Sequence, residues 1–148
     1  MPHEFTTTRR VEFCETDAAG IMHFAVFFTW MEQAEHAFFR SLGLSIHEGR
    51  ERRHVGWPRV QAKCDYIAPL RFEDEAEVHL RVKEKRAKSL RYEFVISKIA
   101  GEMREEVAHG ELTAVCVAWD ENTGQMKAVP IPEEISRVII VAPPASIA

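Results

Sequence analysis

The sequence predicts an α+β domain in which one long helix packs across one curved antiparallel sheet. Three observations support this prediction. An amphipathic helical pattern covers residues 24–42, four segments of alternating apolar and polar residues follow it, and short turns join those segments. Consecutive strands joined in this way favour an antiparallel meander with one face covered by the helix. The other face is mixed in character, so we expect it to meet water or a second subunit.

The first predicted element is a short strand over residues 9–14. Apolar and charged side chains alternate there, with Val11 and Phe13 on the side that we expect to be buried. A glycine-containing turn over residues 16–20 ends the strand. The helical pattern starts shortly after this turn.

The long helix is predicted over residues 24–42, and at ~1.5 Å per residue it would span roughly 28 Å, enough to cross a sheet. When successive residues are placed about 100° apart around the helix axis, the apolar side chains form one stripe along the helix. Its members are Phe27, Phe28, Met31, Ala34, Phe38 and Leu42. Gly43 is well placed to end the helix, because glycine adopts the left-handed conformation that often follows a last turn.

Glu35 is the exception in this stripe, because it projects near the centre of the apolar face. A carboxylate buried there needs a partner, a raised pKa or access to solvent. Two hypotheses stay open: a structural pair with an arginine of the sheet or of a partner subunit, or a chemical role.

Strand patterns dominate the rest of the chain. The alternating segments cover residues 59–66, 76–83, 90–97 and 107–119. One face of the last segment is formed mainly by small residues, which suits the close approach of a helix. These residues are Ala108, Gly110, Leu112, Ala114, Cys116 and Ala118. A short helix is predicted to follow Pro132 and to continue through Val138.

Composition limits the class of protein. The 148 residues suit a single domain over residues 1–141, followed by a flexible tail over residues 142–148. A net charge of -4 does not favour a nucleic-acid partner, and no apolar run approaches the ~20 residues of a membrane span. Three dispersed cysteines without a CxxC pair indicate a reducing compartment, so a cytoplasmic location is expected.

The motifs of several enzyme classes are absent. The histidines show no HxxxH or HExxH spacing, and the chain has no GxSxG elbow, P-loop or GxGxxG. We therefore expect neither a metal nor a cofactor. The residues that remain for chemistry are carboxylates, one histidine and a basic segment between two strands. They are Asp17, Glu32, Glu35, His23 and residues 83–89.

Asp17 lies directly before the helical pattern, where helix N–H groups have no intrahelical acceptor. Such a carboxylate can act as a base or a nucleophile beside donors for a developing oxyanion. It can equally be a turn or N-cap residue, since aspartate is favoured in both positions. The residues alone leave both interpretations open.

Two basic segments could contact an anion. Arg50, Arg52 and Arg53 form one, and residues 83–89 form the other. Both patterns are typical of solvated segments, with phosphate binding as the alternative.

Four motifs resemble one known family. They are V-E-F-C-E-T-D-A-A-G-I-M-H-F, W-M-E-Q-A, K-R-A-K-S and V-P-I-P-E-E-I. In this order and spacing they resemble the hot-dog-fold acyl-CoA thioesterases, in the branch of 4-hydroxybenzoyl-CoA thioesterase and the Tol–Pal-associated thioesterases. The resemblance covers nearly the whole chain. It implies an acyl-CoA substrate, a long helix wrapped by the sheet, and subunits that join their sheets into dimers or tetramers with active sites at the dimer interface.

The resemblance also implies roles for residues. Asp17 would attack the thioester carbon or activate water, and the backbone N–H of Phe24 would bind the oxyanion. Phe24 stands where tyrosine or histidine is common, and whether His23 replaces that side chain stays open. Other enzymes of this fold carry their carboxylate on the central helix, which keeps Glu35 as a rival to Asp17.

For substrate binding, the resemblance assigns Lys88 and Ser89, with Arg86 beside them, to the phosphates of coenzyme A. Gly20 and Phe27 complete the predicted binding set, and Glu32 would have a supporting role. Two other functions stay open. A hydratase of this fold would carry D-x-N-P-x-H, but here the spacing is one residue longer and Asn-Pro is missing. A non-catalytic protein that binds acyl-CoA or acyl carrier protein is the other.

Overall fold

The computed structural model describes residues 1–46 and 55–144. Its elements in chain order are β1 (Glu4–Arg10), a 3-10 turn (Phe13–Glu15), α1 (Val26–Ser41), β2 (Val55–Gly56), β3 (Arg59–Tyr66), β4 (Glu75–Lys85), β5 (Ser89–Ala100), β6 (Met103–Val115), β7 (Val117–Trp119), β8 (Met126–Ala128) and α2 (Glu133–Ser136). β1, β4, β5, β6 and β3 form one antiparallel sheet in that order, and β2, β7 and β8 form a smaller one. The predicted α+β class is confirmed.

The core lies between α1 and one face of the five-stranded sheet. The predicted apolar alternation of β4 and β5 is confirmed, because every second side chain in each strand is buried. The helix contributes Phe27, Trp30, Met31, Ala34, Phe38 and Phe39. Full burial of each large apolar side chain stabilises the fold by roughly 1.5–3 kcal/mol.

The small-residue face of β6 allows α1 to approach closely, as predicted. A Cβ atom placed on Gly110 would lie 2.1 Å from Cε of Met31. This distance leaves no room for a side chain larger than hydrogen unless Met31 moves. The helix and the middle of the sheet are therefore in direct contact at Gly110.

The predicted first strand was wrong in its bounds. β1 ends at Arg10, and Phe13 lies in the 3-10 turn with its ring 74% exposed. The N–H of Glu12 donates to Oε1 of Glu15 (2.8 Å), and the N–H of Glu15 donates to the carbonyl of Glu12 (2.9 Å). These local bonds close a turn, so the chain cannot continue as a strand.

The predicted meander is confirmed only for β4, β5 and β6. β3 lies at the far edge beside β6, although it precedes β4 in the chain. The last alternating segment also divides at Cys116, where the chain leaves β6 for the smaller sheet. The N–H of Cys116 donates to the carbonyl of Lys88 (2.7 Å), and its carbonyl accepts from Val129 (2.9 Å). Alternation survives this change of sheet, which is why the sequence pattern did not reveal it.

The predicted end of α1 is confirmed. Gly43 has a φ of +74°, its N–H donates to the carbonyl of Arg40 (3.0 Å), and the N–H of Leu44 donates to that of Phe39 (2.9 Å). α2 is shorter than predicted and ends at Ser136. Within residues 1–46 and 55–144, no helix is long and apolar enough to cross a membrane.

Two predicted segments lie partly or wholly outside the described residues. The basic run Arg50, Arg52 and Arg53 is outside, as are residues 145–148 of the predicted tail. The described start of that tail lies along β4, where the N–H of Ala142 donates to the carbonyl of Val82 (2.8 Å).

Candidate active site

Asp17 lies in a tight turn that its own side chain helps to close. The N–H of Ala19 donates to Oδ1 of Asp17 (2.9 Å), and the N–H of Gly20 donates to the carbonyl of Asp17 (2.9 Å). Gly20 has a φ of +78°, which glycine adopts without strain. No described residue donates a hydrogen bond to Oδ2 of Asp17. The residue thus has the geometry expected of a turn aspartate and keeps one carboxylate oxygen for chemistry.

Glu15 connects the turn of Asp17 to α1 through hydrogen bonds. Nε1 of Trp30 donates to Oε2 of Glu15 (2.9 Å), and the N–H of His23 donates to the carbonyl of Glu15 (2.8 Å). The guanidinium of Arg9 lies 5.7 Å from the centre of the Trp30 ring. Both ends of the Asp17 turn are therefore fixed to α1 and β1.

The residues before α1 leave one backbone donor open. His23 accepts twice, at Nδ1 from the N–H of Ala25 (3.1 Å) and at its carbonyl from the N–H of Val26 (3.0 Å). In the part of the chain that the structure describes, the N–H of Phe24 donates to no acceptor. α1 has no side-chain cap and no acidic residue in its first turn, so the positive end of its dipole is not compensated.

His23 has a local role in this geometry. Its Nδ1 accepts the N–H of Ala25, so the side chain binds the backbone two residues further along the chain. The ring stacks on that of Phe24 with 4.6 Å between centroids. His23 therefore supports the start of the helix.

A cleft of about 540 Å³ opens beside this turn. Among the predicted site residues, it brings together Asp17, Phe24 and Phe27. The remaining lining residues are Ala19, Ile21, Met22, Tyr66, Ile67, Ala68, Pro69 and Arg71. Gly20 is exposed between two lining residues. The walls are mainly apolar, so the cleft suits an apolar group.

One wall of the cleft is formed by residues at and just after the end of β3, and the sequence did not predict them as site residues. Tyr66 is the last residue of that strand, and its hydroxyl donates to the carbonyl of Phe24 (2.7 Å). Its ring meets Phe27 edge-on with 5.0 Å between centroids. Partial burial raises the pKa of Tyr66 to about 12, and the neighbouring thiol of Cys64 adds to this effect. The apolar run that ends at Pro69 was the available signal, but only the folded chain places it against Phe24.

Glu35 lies elsewhere, fully buried against Arg59 of β3. Arg59 donates from Nη1 to Oε2 (3.0 Å) and from Nη2 to Oε1 (2.6 Å), and Nη2 also reaches Glu32 (3.4 Å). Burial alone would lower the pKa of Arg59, but the bonds to Glu35 outweigh it and the pKa is raised. The hypothesis that Glu35 pairs with a sheet arginine is confirmed. The structure does not bring Glu35 into the cleft of Asp17.

The predicted phosphate-binding residues lie at the other end of the sheet, in the hairpin between β4 and β5. Arg86 contacts Glu84, and the ammonium of Lys88 has no partner among the described residues. With Ser89, Arg86 lines a shallow pocket of about 190 Å³. β1 pairs Arg10 with Glu75 at the near end of β4, so the length of β4 separates this hairpin from Asp17, roughly 30 Å. Within one chain, the two parts of the predicted site do not meet.

Together these features define a class of site. A carboxylate with a free oxygen, an unpaired N–H at the positive end of a helix and an apolar cleft suit attack on a polarised carbonyl group. That combination is typical of enzymes that hydrolyse acyl compounds.

Comparison with known proteins identifies the family. Residues 11–139 match the Thioesterase-like superfamily, and the chain belongs to it. A 1,4-dihydroxy-2-naphthoyl-CoA hydrolase of Synechococcus sp. is 32% identical over 128 residues, which is 83% of this chain and 82% of the relative. The predicted class, an acyl-CoA thioesterase, is thereby confirmed at the level of the family.

Solved structures agree with the fold. A 1,4-dihydroxy-2-naphthoyl-CoA thioesterase from Synechocystis superposes with a TM-score of 0.80 at 26% identity, over 92% of this chain and 95% of that one. The 4-hydroxybenzoyl-CoA thioesterase of Pseudomonas sp. superposes with a TM-score of 0.81 at 22% identity, over 92% and 99%, and supports the fold alone. The predicted hot-dog fold and family resemblance are confirmed.

Proposed function

We propose that this protein hydrolyses the thioester of a small or medium acyl- or aroyl-CoA, with Asp17 as base or nucleophile. One observation carries the proposal: Asp17 and the open N–H of Phe24 border the same apolar cleft at the positive end of α1. The relatives named above act on aroyl-CoA esters by their names. The aromatic walls, Phe24, Phe27 and Tyr66, favour an aromatic acyl group here as well.

The proposed reaction begins when the thioester carbonyl oxygen accepts from the N–H of Phe24. Either Oδ2 of Asp17 removes a proton from water, whose oxygen bonds to the carbonyl carbon, or Oδ2 bonds to that carbon itself. The carbon–sulfur bond then breaks and the thiolate of coenzyme A leaves and takes up a proton. In the second route, water then hydrolyses the acyl-aspartate. An oxyanion donor of this kind contributes roughly 10²–10³ in rate.

We also propose that two copies of the chain complete the site. β3 is an edge strand of the five-stranded sheet, and its apolar residue Val60 is 63% exposed. An exposed edge of this kind can pair with another strand. β3 runs from the hairpin end of the sheet to the cleft end, so antiparallel pairing of two β3 strands would bring the hairpin of one copy to the cleft of the other. Lys88, Ser89 and Arg86 could then bind the phosphates of coenzyme A in the partner's site.

The proposed reaction needs only water as co-substrate, because coenzyme A is part of the substrate. We therefore propose that the enzyme works without a metal or a cofactor. The three free thiols favour a reducing compartment, and we propose the cytoplasm.

The test is Asp17→Asn, with release of free thiol measured over a panel of acyl- and aroyl-CoA esters. Asparagine retains Oδ1 as the acceptor for Ala19, so the turn should persist while hydrolysis falls by at least ~10². Asp120→Asn is the matched control, because Oδ1 of Asp120 accepts from the N–H of Asn122 (2.8 Å) in an exposed turn away from the cleft. Its turnover should equal that of the wild type.

Unchanged turnover in Asp17→Asn would contradict the role of Asp17. The same assay separates the other functions. Consumption of an enoyl-CoA without release of thiol would indicate a hydratase, and tight binding without turnover would indicate a binding protein.

A further inference from the structure

We propose that Tyr66 is a positioning residue that fixes the oxyanion donor through its hydroxyl group, an inference that rests on the proposed function. Tyr66 does not need to touch the reacting atoms. Its hydroxyl holds the carbonyl of Phe24, and this contact sets the direction of the N–H of the same residue.

The argument begins with the two peptide groups on either side of Phe24. The first contains the carbonyl of His23 and the N–H of Phe24, and its carbonyl accepts from Val26 (3.0 Å). The second contains the carbonyl of Phe24, which accepts from Tyr66 (2.7 Å). With both peptide planes held, the open N–H of Phe24 has a defined direction. An oxyanion donor needs such fixed geometry before the reaction starts.

The side chain of Phe24 cannot supply this restraint. Its ring is 62% exposed and stacks only on His23. The hydrogen bonds from Ala25 and Val26 to His23 are local, and the N–H of His23 reaches back only to Glu15 in the preceding turn. Tyr66 gives the only described hydrogen bond between residue 24 and a distant part of the chain, and it comes from the sheet.

Tyr66 is a rigid anchor because the sheet positions it. It pairs with Ala108 in the register of β3 and β6, and its ring packs against Phe27. The hydroxyl therefore reaches Phe24 from a fixed strand, across the mouth of the cleft.

The hydrogen bond from Tyr66 to the carbonyl of Phe24 should persist across the working pH range. A tyrosine can donate only while it is protonated, and the raised pKa of Tyr66, about 12, keeps it protonated at any pH near neutrality. The pH profile of kcat should thus have the same shape with and without the hydroxyl.

The experiment compares the only two tyrosines of the chain. Tyr66→Phe and Tyr92→Phe each remove one hydroxyl and keep the ring. Tyr92 is fully buried, and its hydroxyl makes no regular hydrogen bond with a described residue. Steady-state kinetics on an aroyl-CoA should show kcat reduced about tenfold in Tyr66→Phe with KM within about twofold, since a small misplacement of a reacting group costs up to ~10² in rate. Tyr92→Phe should keep the wild-type kcat.

A third variant distinguishes the positioning role of the Tyr66 hydroxyl from the contribution of its ring to the shape of the cleft. Tyr66→Leu also removes the ring that packs on Phe27, so KM should rise in addition to the loss in kcat. A wild-type kcat in Tyr66→Phe, or a change in its KM alone, would overturn the proposal while the thioesterase assignment stands. A wild-type enzyme that releases no thiol from any ester would overturn both.

Discussion

At the scale of single residues, the pair of Glu35 and Arg59 explains how a carboxylate can lie in an apolar stripe. Glu35 is fully buried, and Arg59 satisfies both of its oxygens. A β-bulge makes this possible. β3 pairs Arg59 with Ala114 but Gln61 with Thr113, so Val60 is the extra residue and Arg59 turns to the helix side.

Arg59→Met should destabilise the fold by about 3 kcal/mol, because it removes the guanidinium group that pairs with the buried carboxylate of Glu35. Urea denaturation measures the loss. The double variant Glu35→Leu/Arg59→Met should recover most of it, since an apolar pair of similar volume removes the buried charge. If Arg59→Met alone were as stable as the wild type, the pair would contribute nothing to the fold.

At the scale of elements, the distance between α1 and the sheet depends on a glycine. Gly110 of β6 faces Met31. A Cβ atom placed on Gly110 would also lie 3.3 Å from the carbonyl oxygen of Lys63. Phe24 lies just before the first residue of this helix, so the position of α1 on the sheet also determines where Phe24 lies.

Gly110→Ala should destabilise the protein by about 1–3 kcal/mol, because the added methyl group overpacks the contact with Met31. Thermal unfolding checks this. Combining it with Met31→Ala provides the double-mutant cycle: room made at Met31 should reduce the effect of the added methyl group. Equal effects of Gly110→Ala in both backgrounds would show that Met31 is not the obstacle.

At the scale of the whole molecule, the two parts of the proposed site lie far apart within one chain. Asp17 and the basic hairpin lie at opposite ends of β4, while β3 offers an open edge that joins the two ends. Two-fold pairing of that edge would repeat the same composite site twice, as a symmetric dimer requires.

Mixing two variants, each defective in a different part of the proposed site, tests this arrangement. Lys88→Ala alone should raise KM for the CoA ester and flatten its dependence on salt, because a phosphate contact is lost. When Asp17→Asn and Lys88→Ala chains are unfolded together and refolded, random pairing should leave about one site in four with both residues intact. The refolded mixture should then hydrolyse the ester partly with the wild-type KM.

The unmixed variants, refolded separately and then combined without exchange, are the control. If the low-KM activity never appears in the refolded mixture, Lys88 serves its own chain's cleft or does not bind the substrate at all.

Several features were predictable from the chain alone because they depend on local periodicity. The helix stripe, the alternating strands, the end of α1 at Gly43 and the small face of β6 follow from repeats of about 3.6 and 2 residues. The residues around Asp17 predicted the turn, since a turn is closed by neighbours in the chain, and the resemblance of four motifs to a known family predicted the family.

Contacts between residues far apart in the chain are visible only in the folded protein. The fold placed β3 beside β6, turned Arg59 to Glu35 through a bulge, and brought Tyr66 onto the carbonyl of Phe24. Hydrogen bonds between residues far apart in the chain determine strand order, and one extra residue reverses the face on which a side chain lies. Periodicity contains neither kind of information. For that reason the turn of Asp17 was predictable, while the contact between Tyr66 of β3 and the carbonyl of Phe24 was not.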